Sequence, residues 1–550
     1  MTAENFILTG AIKNLQVHKD RIGEKMAFAN LENGNNKINV VFFSRAWKQC
    51  EAKIKDNKIV TLSGKMDSNI QNQKAGKNYF MVNYVLPRVK KTEEALKTNW
   101  AFIYAPQAES KMMKFKIHRS TKETGVACVE VWTDTSRIVI DMGIPLANAD
   151  ETPFKEKEIE NLPREELIKN QILPDIPALY EDTPNTALLI SHAHKDHYGL
   201  IGHIRQSCPV YMGNAAHHLI ALTYDFLSLG FPIKNIKHFK HEKTFKVGDI
   251  EITPYLMDYS VLDVYLFLIR VDEKYLLYSG DFRNHGRKSR MFDIFCSKVH
   301  KGVDYMLLEG SSMGRTEKPF PKEYDLEANF IDTFKKTKGI NLVLVSGLNI
   351  DILVTIYRAC KHFKKIFLLD FYTANVLKTL NKKANSTIPH PSRENFKEIN
   401  VYFPHYHAKI IEERGNADKF IKPFKFHEIP LDQLDSLANK LVMLVHPHVI
   451  YDLQKGLHNY SDGCFIYSMG EGYKKDAKNE KLLDFISAKG MPIKDIHTSS
   501  HADLAALKMM ADAVKPKHII PIHTFEDDSY AKYFNDHKVV IVNDKEVIDI

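Results

Sequence analysis

The sequence predicts an α/β protein preceded by a small all-β barrel. Three observations carry that expectation. Residues 1–88 hold five short runs rich in β-branched and aromatic residues, punctuated by Gly, Asn and Asp. From about residue 112, strand-like apolar runs alternate with helical patterns. Several of those runs end abruptly on His or Asp, and loops after strand C-termini are where α/β proteins gather chemistry.

Size and composition bound the problem. A chain of 550 residues predicts three or four units at roughly one per ~150 residues. Hydrophobic content of 44% and charged content of 26% describe ordinary globular protein. No apolar run approaches the roughly 18 residues that a membrane span needs, and "MTAENFILTG" has no signal-peptide pattern. Cysteines 50, 128, 208, 296, 360 and 464 form no C-x-x-C pair, which speaks against a disulfide framework or a thiolate metal site, and a reducing, cytoplasmic location is expected. A net charge of +8 is compatible with a polyanionic partner without demanding one.

Taken in order, "FILTGAIKNLQV", "KMAFANLENG", "NKINVVFFS", "KIVTLSGKMD" and "NYFMVNYVL" read as strands. "RAWKQCEAKIK" suits a short helix between the third and fourth. Five strands with a helix after the third is the layout of an OB barrel. The stretch also resembles the OB-fold, tRNA-anticodon-type nucleic-acid-binding module, which sets residues 1–90 apart as a domain. Within it Lys25, Phe28, Lys48, Lys65 and Tyr79 are candidates for a backbone-binding and base-stacking groove. Most aromatics of so small a barrel belong in its core. Charged residues 91–111 read as a linker.

The chemistry concentrates in "TALLISHAHKDHYGLIGHI", residues 186–204. "TALLIS" reads as a strand, and His192, His194, Asp196 and His197 follow on its loop. Imidazole nitrogens and carboxylate oxygens without a thiolate suit zinc or manganese. One loop cannot complete a coordination shell, so further ligands must come from downstream. "YLLYSGDF" ends at Asp281, "DIHTSSHAD" carries His501, and "HIIPIHT" ends at His523.

With Asp141 in "VIDMG" and Glu309 in "LLEGSS", this ordered set resembles the metallo-β-lactamase fold in its β-CASP, ribonuclease J-like form. The resemblance implies an αββα sandwich at 112–317 and 489–550, interrupted by an α/β β-CASP insertion at 318–488. It implies two divalent metal ions, zinc or manganese, bridged by Asp281. His192 and His194 would hold one ion; Asp196, His197 and His523 would hold the other. Asp141 would orient the histidine loop. Asp196, His501 and Glu309 would be catalytic, with His501 meeting the scissile phosphate. Two positions depart from the pattern. Tyr259, in "LMDYSVLD", stands where a further histidine ligand is expected, with Asp258 beside it as a substitute. Ser500 replaces the Gly before His501.

These residues favour a metal-dependent phosphodiesterase acting on RNA or single-stranded DNA, as a single chain or a homo-oligomer. A thioesterase or lactonase on the same fold would use the histidines but not the first domain. A nucleic-acid-binding protein with an impaired metal site would explain Tyr259.

Overall fold

The computed structural model describes residues 6–20, 23–33, 36–66, 79–86, 112–123, 125–145, 154–159, 161–383, 386–392 and 394–550. The linker expected at 91–111 lies outside the described residues. The chain divides into two compact units, Met1–Lys111 and Met112–Ile550.

In the first unit, strands β1 (Phe6–Lys19), β2 (Lys25–Asn33), β3 (Asn36–Phe42), β4 (Ile59–Met66) and β5 (Tyr79–Leu86) close a barrel in the order β1-β2-β3-β5-β4. Strand β3 pairs parallel with β5, and β1 closes antiparallel on β4. Alternate side chains point inward: Ala27, Ala29 and Leu31 on β2, Val40 and Phe42 on β3, Val60 and Leu62 on β4. Helix Ser44–Cys50 adds buried Trp47 and Cys50 to this core. Phe42 and Trp47 are therefore core residues, as the size of the barrel requires.

The second unit opens with a mixed sheet of β6 (Lys114–Arg119), β7 (Cys128–Trp132), β8 (Arg137–Ile140), β9 (Thr186–Ile190), β10 (Val210–Met212) and β11 (Ile236–His238). A second sheet follows: β12 (Phe245–Val247), β13 (Ile250–Met257), β14 (Val264–Val271), β15 (Lys274–Tyr278) and β16 (Tyr305–Glu309). The chain then leaves to build a third, wholly parallel sheet from β17 (Asn341–Leu344), β18 (Ile366–Asp370), β19 (Ile399–Tyr402), β20 (Leu441–Val445), β21 (Cys464–Tyr467) and β22 (Ile493–Asp495). It returns with β23 (His518–Ile522) beside β16 and β24 (Val547–Asp549) beside β6.

The first two sheets share one core, with Val129, Ile138, Ile140 and Leu189 meeting Ile252, Phe267, Ile269 and Ile520. Helices Arg290–Lys298 and Leu504–Val514 cover the outer face of the second sheet, and helix Asn214–Leu227 packs with the core outside the first. This is an αββα sandwich. The third sheet is apolar on both faces, as buried parallel strands require: Val343, Val442 and Leu444 on one, Leu342, Leu344 and Met443 on the other. The helical stretches between its strands supply both covers.

Candidate metal centre

Six strand ends of the sandwich deliver the polar cluster. Asp141 follows β8, the 191–197 loop follows β9, Tyr259 lies two residues past β13, Asp281 three past β15, Glu309 ends β16, and His523 follows β23. Asp141 and His523 both take positive φ, at 61° and 55°. Such backbone is costly for a non-glycine residue and points to a site where side-chain direction matters.

Asp141 organises the histidine loop. Its Oδ1 accepts the Ser191 amide at 2.7 Å. Its Oδ2 accepts the Ser191 hydroxyl at 2.7 Å, His197 Nδ1 at 2.8 Å and the Tyr278 hydroxyl at 2.8 Å. Ser191 has one hydroxyl proton and gives it to Asp141, so His192 Nδ1, 3.0 Å from the same oxygen, is the donor there. Both imidazoles thus commit Nδ1 as donor. Their Nε2 atoms are buried and have no hydrogen-bond partner.

Those two nitrogens face Asp281, whose Oδ2 lies 3.7 Å from His192 Nε2 and 3.4 Å from His197 Nε2. His523 Nε2 lies 3.8 Å from Asp281 Oδ1 and 3.7 Å from Asp196 Oδ2. It also accepts the Gly125 amide at 2.8 Å, while Ser311 Oγ contacts its Nδ1. Ligand atoms converge within 4.8 Å in three overlapping groups: His192, His197 and Asp281; Asp196, His197 and His523; Asp281, His501 and His523. Burial disfavours a charged His197, yet Asp281, Asp141 and Asp196 outweigh it and raise its pKa well above the ordinary value. The carboxylates hold a positive charge at this spot, which a metal cation would supply. Orphaned buried imidazole nitrogens facing a carboxylate fit a divalent ion such as zinc.

His194 joins none of the three groups; its ring stands 4.7 Å from that of His192. Asp258 is not available as a substitute ligand. Its Oδ2 accepts the Gly286 amide at 2.7 Å and its Oδ1 the Lys288 amide at 3.2 Å, beside the buried Arg283. Tyr259 does reach the centre, donating its hydroxyl to Asp281 Oδ2 at 2.9 Å. Burial, then Asp281, push the phenol pKa well up, so it stays a donor.

His501 lies across from the histidine loop. Its Nδ1 is 3.3 Å from Glu309 Oε1 and its Nε2 is 3.1 Å from the Tyr259 hydroxyl. The single Tyr259 proton goes to Asp281, so His501 Nε2 donates to the phenol oxygen. With Nδ1 on Glu309, both ring nitrogens are donors. Burial opposes the resulting charge, but Glu309 and Asp281 raise the His501 pKa in agreement. Arg283 Nη1 and His285 Nε2 both reach the Ser499 carbonyl, at 3.1 and 2.8 Å, and so hold the loop that carries His501. Sequence reading missed these two, along with Ser191, Tyr278 and Ser311. Only the adjacency of Arg283 to "GDF" hinted at any of them.

In the barrel unit, Lys25 pairs with Glu51 at 3.0 Å and Lys48 with Glu24 at 2.5 Å. Phe28 is half-buried, its ring 5.7 Å from that of His18. The side chains of Lys65 and Tyr79 lie outside the described residues. Exposed ion pairs of this kind are worth little and do not withdraw a lysine from a phosphate partner.

Comparison with known proteins matches two segments of the chain to families. Residues 6–84 match the family described as an OB-fold nucleic acid binding domain, and residues 489–542 match a Zn-dependent metallo-hydrolase RNA specificity domain. Ribonuclease J of Helicobacter pylori (strain B128) is 21% identical over 415 residues, 73% of this chain and 54% of that protein. The chain is thus similar to the ribonuclease J proteins, and its αββα sandwich agrees with their fold. Ribonuclease J 2 of Staphylococcus aureus (strain NCTC 8325 / PS 47) is 22% identical over 366 residues, 64% of this chain and 60% of that one. The match thus spans little more than half the length of these relatives. A crystal structure of a protein of unknown function from Enterococcus faecalis V583 superposes with a TM-score of 0.64 at 18% identity, covering 80% of this chain and all of that one. Around the histidine cluster, Ser191 and Tyr278 bond to Asp141, Ser191 also meets His192, and Ser311 meets His523.

Proposed function

We propose that the protein is a divalent-metal-dependent phosphodiesterase that cleaves RNA or another single-stranded nucleic acid. The observation that carries this reading is the pair of buried, partnerless Nε2 atoms of His192 and His197 facing Asp281, with the His501–Glu309 pair opposite. His192, Asp196, His197 and Asp281 are the residues that would hold metal; His523 would join them by exchanging the Gly125 amide on its Nε2 for the ion, and His194 stands at the margin.

Bound there, a divalent ion supplies Lewis acidity toward water and toward a phosphoryl oxygen. The chain's own groups do the rest. Asp196 is 16% exposed whereas Asp281 is 2% exposed, so Asp196 is the carboxylate placed to receive a proton from an attacking water. His501, held by Glu309 at Nδ1, would turn its Nε2 proton from the Tyr259 hydroxyl to the negative charge that grows on phosphate oxygens. Glu309 keeps it protonated and oriented. Asp141 keeps Nε2 of His197 turned to the centre.

An OB-fold domain similar to nucleic-acid-binding modules, and relatives named as ribonucleases, support RNA as the substrate. Tethering a strand-binding barrel to a metal hydrolase raises the local concentration of substrate. The test is cleavage of single-stranded RNA and DNA oligonucleotides by metal-loaded protein, with and without EDTA. Cleavage of RNA that EDTA abolishes, and that Asp281→Asn lacks, is the expected result. Intact oligonucleotides in every arm would overturn the proposal.

A further inference from the structure

The donor atoms around Asp281 do not divide evenly into two shells. Asp196, His197 and His523 gather their ligand atoms within 4.8 Å, and His523 reaches Asp281 Oδ1 at 3.8 Å. On the other side stand His192 and His194, but His194 enters no converging group. Tyr259 fills that side. Its ring centroid is 5.2 Å from His192 and 5.4 Å from His194. Its hydroxyl donates to Asp281 Oδ2, the same oxygen that lies nearest His192 Nε2.

An ion held by His192 and His194 would have to share Oδ2 with that hydrogen bond. It would also find a phenol hydroxyl where the usual donors are carboxylate or imidazole. The hydroxyl is moreover occupied on both sides, by Asp281 and by His501 Nε2 at 3.1 Å.

We propose that the chain retains one divalent ion, in a shell drawn from His192, Asp196, His197, Asp281 and His523, and that Tyr259 takes the place of a second ion by tying Asp281 to His501. Tyr259 is then a positioning residue that aligns His501 through its hydroxyl. The proposal rests on the metal-centre reading above but not on the identity of the substrate.

The test is metal counting. Protein is incubated with excess zinc, desalted and measured by inductively coupled plasma mass spectrometry. Wild type is expected to keep one zinc per chain, His194→Ala one, His523→Ala almost none, and Tyr259→His two. Two zinc ions on wild type, or one on folded Tyr259→His, would overturn the proposal. Should Tyr259→His fail to fold, cobalt(II) titration of wild type decides: visible absorption saturating at one equivalent supports the proposal, and at two overturns it. The outcomes separate from those of the functional reading. One zinc with no nucleic-acid cleavage defeats the nuclease and leaves this inference standing. Two zinc ions with cleavage defeats this inference alone, and no retained zinc defeats both.

Discussion

Asp141 carries more of the centre than any ligand does, because four donors converge on one buried carboxylate. Its isosteric amide would keep the volume but replace an acceptor oxygen with a donor that faces Ser191, His197 or Tyr278. Groups that orient metal-bound histidines typically contribute 10–100-fold to metal affinity or activity. Asp141→Asn is therefore expected to weaken zinc binding by roughly 10–100-fold while the far-UV circular dichroism stays native. Competition with a chromophoric chelator measures this, and unchanged affinity would show that the histidine loop holds itself. The residue was legible in "VIDMG" as an orienting group. Of its three partner residues, His197 was legible with it, but Ser191 and Tyr278 were not; Tyr278 is 137 positions away and nothing local marks it.

At the level of elements, the centre depends on how closely the loops after β8 and β9 can approach. Gly143 makes the approach possible: a Cβ there would stand 1.5 Å from the Asp196 carbonyl oxygen. The amides of Met142 and Ile144 bond to the His197 and Lys195 carbonyls at 2.8 and 3.1 Å, so the two loops are laced together at this point. Gly143→Ala must push the 195–197 turn away. It should cost about 1–3 kcal/mol of stability, as over-packing does, and reduce zinc retention with it. A variant with native melting temperature and full zinc would mean that the loops slide without consequence. A second junction joins the sandwich to the inserted sheet's helices. Arg283, fully buried, pairs with Glu323 at 3.1 Å and Asp351 at 2.6 Å, on helices Glu323–Lys336 and Ile350–His362. The same guanidinium holds the Ser499 carbonyl, so the insertion and the His501 loop share one anchor. A buried arginine that sits amid carboxylates far apart in the chain leaves no local pattern beyond its place after "GDF", and for that reason its partners could not be read from the sequence.

At the scale of the whole molecule, several histidines are buried in neutral form. Burial lowers the pKa of His118 to about 3, with Lys116 adding to it, and that of His285 to about 4, with Arg283 adding to it. In the unfolded chain these groups take up protons below about pH 6.5, whereas the folded chain refuses them until about pH 3 to 4. The unfolded state therefore binds more protons between those limits, and stability from these groups falls as pH falls through that window. His197 and His501, raised in the metal-free protein, pull the other way. The readout is accordingly a difference: between pH 7 and pH 5, the melting temperature of His118→Gln should drop less than that of wild type. An equal or steeper drop would contradict the assignment. The division into two compact units gives a further expectation. A chain of residues 112–550 should keep its metal and its cleavage chemistry but bind RNA at least about tenfold more weakly, with a shallower salt dependence. Filter binding at several salt concentrations would show it, and equal affinity would relieve the barrel of a role in holding substrate.

The sequence by itself determined the classes of structure and the chemistry available. Runs of β-branched and aromatic residues with turn residues between them wrote the five-stranded barrel, apolar runs alternating with helical patterns wrote the α/β body, and ligand-type residues at strand ends marked the centre, because these signals are local and survive in one dimension. The tertiary structure decided what those residues do to one another. It committed Asp258 to the Gly286 and Lys288 amides, left His194 outside the converging donors, and set the Tyr259 hydroxyl between Asp281 and His501. Distances of a few ångströms between side chains on different strands fix proton positions and metal shells, and such distances exist only once the sheets have packed.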